Sequence, residues 1–154
     1  EKDVMKQPPR KQNEGVFAGG MGVKIIWQGI MIGLLALAVY LLALSWGRTL
    51  DEAHTMTFAT MALMQLVHSF NARSMEHSVF SLGVASNRNL IYAFLASAAL
   101  TAAVIFIPFL REFFDTAPLR LSDWFVVCGF ALMPLIIVEM SKMIKGQRVA
   151  VKEN

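Results

Sequence analysis

Charge is scarce in this chain. Only 16% of its 154 residues are charged, while 56% are hydrophobic, and not one charged residue lies between Ile25 and Trp46. A soluble domain of this size would have more apolar side chain than its core could hide, so lipid is the expected solvent for much of it. The single cysteine, Cys128, excludes an internal disulfide and reads as a small apolar packing residue. Missing too are a Gly-rich phosphate loop, a nucleophile flanked by a base, and a water-soluble stretch long enough for a nucleotide-binding domain. The chain alone is therefore expected to catalyse nothing and to hold no cofactor. Histidines are few: His54 and His68 would lie about 21 Å apart along one helix, and His77 falls in a connector. That spacing denies one haem two axial ligands, and no compact Cys and His set serves zinc. The chain starts at Glu1 with no short apolar stretch and cleavage site ahead of its first apolar run. We expect a piece cut from a longer polypeptide, without a signal peptide.

What is present is four long apolar runs. The first, Ile25 to Trp46, would rise about 33 Å as a helix, enough to cross a hydrocarbon core of about 30 Å. After a polar turn over residues 47–52 comes a second run, 53–72, made less apolar by Thr55, Thr57, Thr60, Gln65, His68 and Asn71. A third runs over 90–110 and a fourth over 121–140. In the third, Ala93, Ala96, Ala98, Ala99, Ala102 and Ala103 are of the size that lets helix backbones approach closely in lipid. The runs are continuous rather than alternating, which excludes a β-barrel. The expected fold is an all-α, four-helix transmembrane bundle, with residues 1–24 as a polar loop before it and 143–154 as a polar tail.

Basic residues orient the bundle. Lys2, Lys6, Arg10, Lys11, Lys24, Arg73, Arg88, Lys142, Lys145, Arg148 and Lys152 fall on one side, and Arg48, Arg111 and Arg120 on the other. The excess places both ends in the cytoplasm. It also accounts for the net charge of +3 as a topology signal. Spread over separate segments without a reader motif, these bases do not form a nucleic-acid surface.

Polar groups inside a membrane are functional candidates by default. Met61, Gln65, His68 and Ala72 follow one another at spacings of four, three and four, so Gln65 and His68 share a stripe of the second helix. The plainer alternative is that Gln, His and Thr side chains bond across helices as packing contacts. Glu139 and Lys142 stand one turn apart at the end of the fourth run and form a natural structural pair. At its start, Asp123 suits the positive helix end and Trp124 the interfacial belt.

Asp3-Val4-Met5 followed by Pro8-Pro9-Arg10 resembles the cytoplasmic loop before the seventh membrane helix of P-type calcium ATPases. Thr55 to Thr60 and Gln65 to Arg73 resemble the eighth helix and its exit. Ser78-Val79-Phe80, Asn87-Arg88, Ile107-Pro108-Phe109 and Leu121-Ser122-Asp123 are similar to the following connector and the ninth and tenth helices of bacterial and secretory-pathway pumps. The resemblance covers nearly the whole chain and implies the last four of ten helices of a pump that exports Ca²⁺ from the cytoplasm. In such a pump ATP, Mg²⁺ and Ca²⁺ are used by the complete protein, whose other helices and cytoplasmic domains are this chain's partners alongside membrane lipid. A bacterial source would place it in the plasma membrane.

Gln65 stands where the family's two-site pumps have a calcium-coordinating glutamate. An amide offers one oxygen and no charge, whereas Ca²⁺ takes six to eight oxygens with carboxylates among them. The resemblance thus implies one Ca²⁺ per cycle, with Gln65 at most a weak or indirect ligand. Asp3 and Arg10 would belong to a loop that couples to the phosphorylation domain. Where relatives often have two adjacent acids, this chain has Val138 beside Glu139, although Glu139 and Lys142 still match. Two other readings stay open: a pump for Na⁺, H⁺ or Mn²⁺, and a non-enzymatic four-span scaffold.

Overall fold

The computed structural model describes residues 21–72 and 87–152, of which 143–152 as backbone. Every regular element among them is helical: α1 (Met21–Ser45), α2 (Leu50–Asn71), α3 (Arg88–Phe106), α4 (Pro108–Phe114) and α5 (Leu121–Lys152). Asp3, Arg10 and the 73–86 connector lie outside the described residues.

The α1–α2 turn is built by local chemistry. Gly47 takes a positive φ of 70°, and the amides of Gly47 and Arg48 bond back to Leu44 O and Ala43 O. That is a Schellman stop, which needs a residue tolerant of the left-handed region. Thr49 then starts α2 through a capping box: Glu52 N–H donates to Thr49 Oγ1, and Thr49 N–H donates to Glu52 Oε2. With both helix ends satisfied in so few residues, α1 and α2 pack antiparallel.

The third apolar run is not one helix. Ile107 is extended (φ −85°, ψ 117°), α3 stops at Phe106, and Pro108 begins the short α4. Proline disfavours helical backbone in the residue before it and is itself suited to a first helical position. Pro134 behaves differently, lying inside α5 without ending it. Its missing N–H cannot make the ladder bond to Phe130 O, and the ring is fully buried. Beyond residue 140 nothing in the sequence stops α5, whose backbone stays helical to Lys152.

Among the described residues, three helical segments are long and apolar enough to cross a membrane by length and composition: α1, α3 and Leu121–Lys142 of α5. α2 is not among them, and its burial explains why. It packs on α1, α5 and α3 and buries Ala53, Thr55, Met56, Ala59, Thr60, Met64 and Asn71, so less of it needs to be compatible with lipid. The hydroxyls of Thr55, Thr57 and Thr60 donate to Asp51 O, Ala53 O and Met56 O, which hides them from an apolar environment. The core joins Val39 and Ala43 of α1, Ala53, Met56 and Ala59 of α2, Ile105 of α3 and Val127 of α5. Close approach therefore comes from Ala43, Ala53 and Ala59. The alanines of α3 divide: Ala93, Ala96 and Ala99 are exposed, Ala98, Ala102 and Ala103 are half-buried, and α3 buries fully only Ile105.

Candidate functional site

α2 is the element on which polar side chains concentrate, and the packing divides them into two sets. Gln65, with Met61 and Ala72, is exposed, on a face of α2 that α1, α3 and α5 leave open. His54 and Phe58 continue that open face toward the N-terminus of the helix, the His54 ring stacking on Tyr40 of α1 with centroids 5.5 Å apart. His68 is half-buried, and its Nδ1 has no partner among the described residues. The spacing stripe thus turns from open at Gln65 toward the α5 interface at His68.

The second set gathers where α2 ends against α5. The Asn71 amide, 3% exposed, donates from Nδ2 to Pro134 O at 3.2 Å. Its Oδ1 has no partner among the described residues. Further along α5, Lys142 Nζ donates to Glu139 Oε1 at 3.0 Å, both side chains nearly buried, and Lys142 is an electrostatic neighbour of His68. His68, Asn71, Glu139 and Lys142 therefore share one end of the α2–α5 interface. Gln65 stands apart from them on the open face. Among the described residues no three His, Cys, Asp or Glu side chains converge as a metal site would require.

The opposite end holds a cluster that the sequence pattern did not reveal. Arg48 Nη2 donates to Asp123 Oδ1 at 2.6 Å and to Ser122 Oγ at 3.1 Å, with the Asp123 side chain wholly buried. Asp123 Oδ2 accepts from Arg120 N–H at 2.9 Å. Its carboxylate thus caps the start of α5 as it neutralises Arg48. Thr55 Oγ1 accepts from Ala117 N–H at 2.8 Å, and Thr116 Oγ1 donates to Val104 O at 2.9 Å. Asp123 was legible only as a helix-end acid; that its partner is 75 positions away leaves no trace in spacing.

Residues 1–144 match the family described as "Cation transporting ATPase, C-terminus". The chain belongs to that family. As such it is a membrane-spanning C-terminal ATPase domain, and it is similar over 93% of its length to "Calcium-transporting ATPase 1" of Bacillus cereus, at 35% identity. It is 38% identical over 90% of its length to "Calcium-transporting ATPase" of Bacillus subtilis. Against "Calcium-transporting ATPase type 2C member 1" of Homo sapiens it is 28% identical over its whole length. The ATPase domain spans only 16–18% of the length of these relatives.

Proposed function

We propose that this chain forms helices seven to ten of the ten-helix membrane domain of an ATP-driven P-type pump that exports Ca²⁺ from the cytoplasm. α1, α2, α3 and α5 are its spans, α2 crossing under the cover of its neighbours, and both ends of the bundle face the cytoplasm as the basic residues require. The observation that carries this reading is the similarity over nine-tenths or more of the chain to proteins named as calcium-transporting ATPases. The open face of α2 supports it. An amide at Gln65 finds no hydrogen-bonding partner in lipid, so other helices of the same pump are the cover that suits it.

In this pump the domain braces the transporting helices and performs no phosphoryl transfer. ATP and Mg²⁺ belong to the rest of the protein, where they supply phosphorylation. Gln65 faces the cation path as an uncharged, weak or indirect contact, and one Ca²⁺ moves per cycle. Asp3 and Arg10 lie in the loop that transmits phosphorylation to the helices, and Glu139 with Lys142 fixes the cytoplasmic end of α5. The test is ⁴⁵Ca²⁺ uptake and ATP hydrolysis by the intact protein in inverted vesicles. One Ca²⁺ per ATP is expected. Two per ATP, or stimulation by Na⁺ or Mn²⁺ without Ca²⁺, overturns the reading.

A further inference from the structure

Asn71 is tied into the α2–α5 interface by only one of its two amide atoms. The residue is 3% exposed, Nδ2 donates to Pro134 O at 3.2 Å, and Oδ1 is buried without a donor among the described residues. Turning the amide round does not help, because a carbonyl such as Pro134 O accepts only from an N–H. One turn earlier on the same helix, His68 Nδ1 is likewise a buried atom without a partner among the described residues. Buried polar atoms in folded proteins are nearly all bonded. Both of these are closed to lipid, so whatever meets them is small and enclosed.

α5 adds a third polar group at this level. Pro134 is fully buried and sits against α2, as the bond from Asn71 requires. Having no N–H, it deprives Phe130 O of its ladder donor. α2 and α5 run parallel, since Thr55 meets Ala117 just before α5 and Asn71 meets Pro134 within it. His68, one turn before Asn71, therefore comes level with the turn from Phe130 to Pro134. Positions three apart on a helix have Cβ atoms about 5–6 Å apart, the length of two hydrogen bonds of about 2.8–3.0 Å placed end to end. That spacing suits one bridging water.

We propose that a single enclosed water clasps α2 to α5 at Pro134. It accepts from His68 Nδ1–H and donates its two protons to Asn71 Oδ1 and Phe130 O, three partners being usual for a buried water. Because those two oxygens are acceptors only, they use both protons of the water, and His68 must carry a proton on Nδ1. The clasp thereby fixes the tautomer of a histidine one turn from Gln65, where α2 passes from its open face into the bundle. This inference depends on the α2–α5 packing alone and is independent of which cation is carried.

The experiment exposes the intact protein, in phosphatidylcholine vesicles equilibrated with H₂¹⁸O, to X-ray pulses that split bound water into hydroxyl radicals where it sits, and maps ¹⁸O on side chains by mass spectrometry. Phe130 and Pro134 take more label than Val39 and Val127 of the apolar core. Asn71→Leu lowers the yield at Pro134 about tenfold, the weight of one hydrogen bond, and His68→Phe does the same. In ¹⁵N spectra of histidine-labelled protein, the His68 signals are those lost in His68→Phe, and they show Nδ1 protonated. Asn71→Leu moves that proton toward Nε2, the site that free neutral imidazole side chains prefer. Label at Phe130 and Pro134 no higher than at Val127 overturns the clasp, and so does a His68 Nδ1 without a proton. Label that persists in both variants shows water not held by these groups and overturns it too. The number of Ca²⁺ carried per ATP bears on none of these results.

Discussion

The two ends of the helix bundle are held by different means. At the Arg48 end, side chains and backbone from the α1–α2 turn, α2, α3 and the segment before α5 bond to one another across long sequence separations. At the Lys142 end, α2 reaches α5 through the Asn71 amide, and the Glu139–Lys142 bridge runs along a single helix. Connection length explains the contrast. Short turns at residues 46–49 and 115–120 bring polar groups of several segments together where each must find a partner, and Asp123 is buried because Arg48 is delivered to it. The difference teaches that a short turn can deliver a charged side chain such as Arg48 to a buried partner on another helix.

The comparison breaks most sharply at Asp123. Asp123→Leu strands a nearly buried guanidinium, and heat unfolding of the intact protein should show a loss of about 3–5 kcal/mol. Adding Arg48→Met to it should restore much of that loss, since the unpaired charge is gone; equal instability of the single and double variants would deny that the ion pair matters. Thr55→Val comes next. It leaves Ala117 N–H without its acceptor, with an expected loss of about 1–3 kcal/mol by the same measurement.

At the other end the effects should shrink. Asn71→Leu removes one hydrogen bond and also an unpartnered buried oxygen, so about 0.5–1.5 kcal/mol is expected, and a loss matching that of Asp123→Leu would erase the difference between the ends. Gln65→Leu should be the mildest, within about 0.5 kcal/mol in unfolding. Its effect belongs in transport assays, where a change in Ca²⁺ dependence would tie the open face to the ion path.

Much of the architecture was readable in the chain because its causes are local. The uncharged run ahead of Trp46 is long enough for a span and residues 47–52 read as a polar turn, whereas the start of α2 at Leu50 and the continuation of α5 past Met140 to Lys152 were not expected. Ile107 was harder. Apolar character runs straight through residues 90–110, and only the backbone restriction imposed by Pro108 splits it, while Pro134 shows that the same residue type can be absorbed elsewhere. The candidate site divided likewise: helical spacing put Gln65 and His68 on one stripe, but not which part of it stays open.

The order of apolar and polar residues determined by itself that this is a helical membrane domain, because hydrophobic length acts through the solvent rather than through particular neighbours. Only the tertiary structure decided that α2 is the enclosed helix, that Asp123 answers Arg48, and that Asn71 bonds to the carbonyl of Pro134. Those outcomes depend on which side chains packing brings within hydrogen-bond distance, and once water is excluded a polar group is satisfied by the partner that arrives there, however far away it stands in the chain.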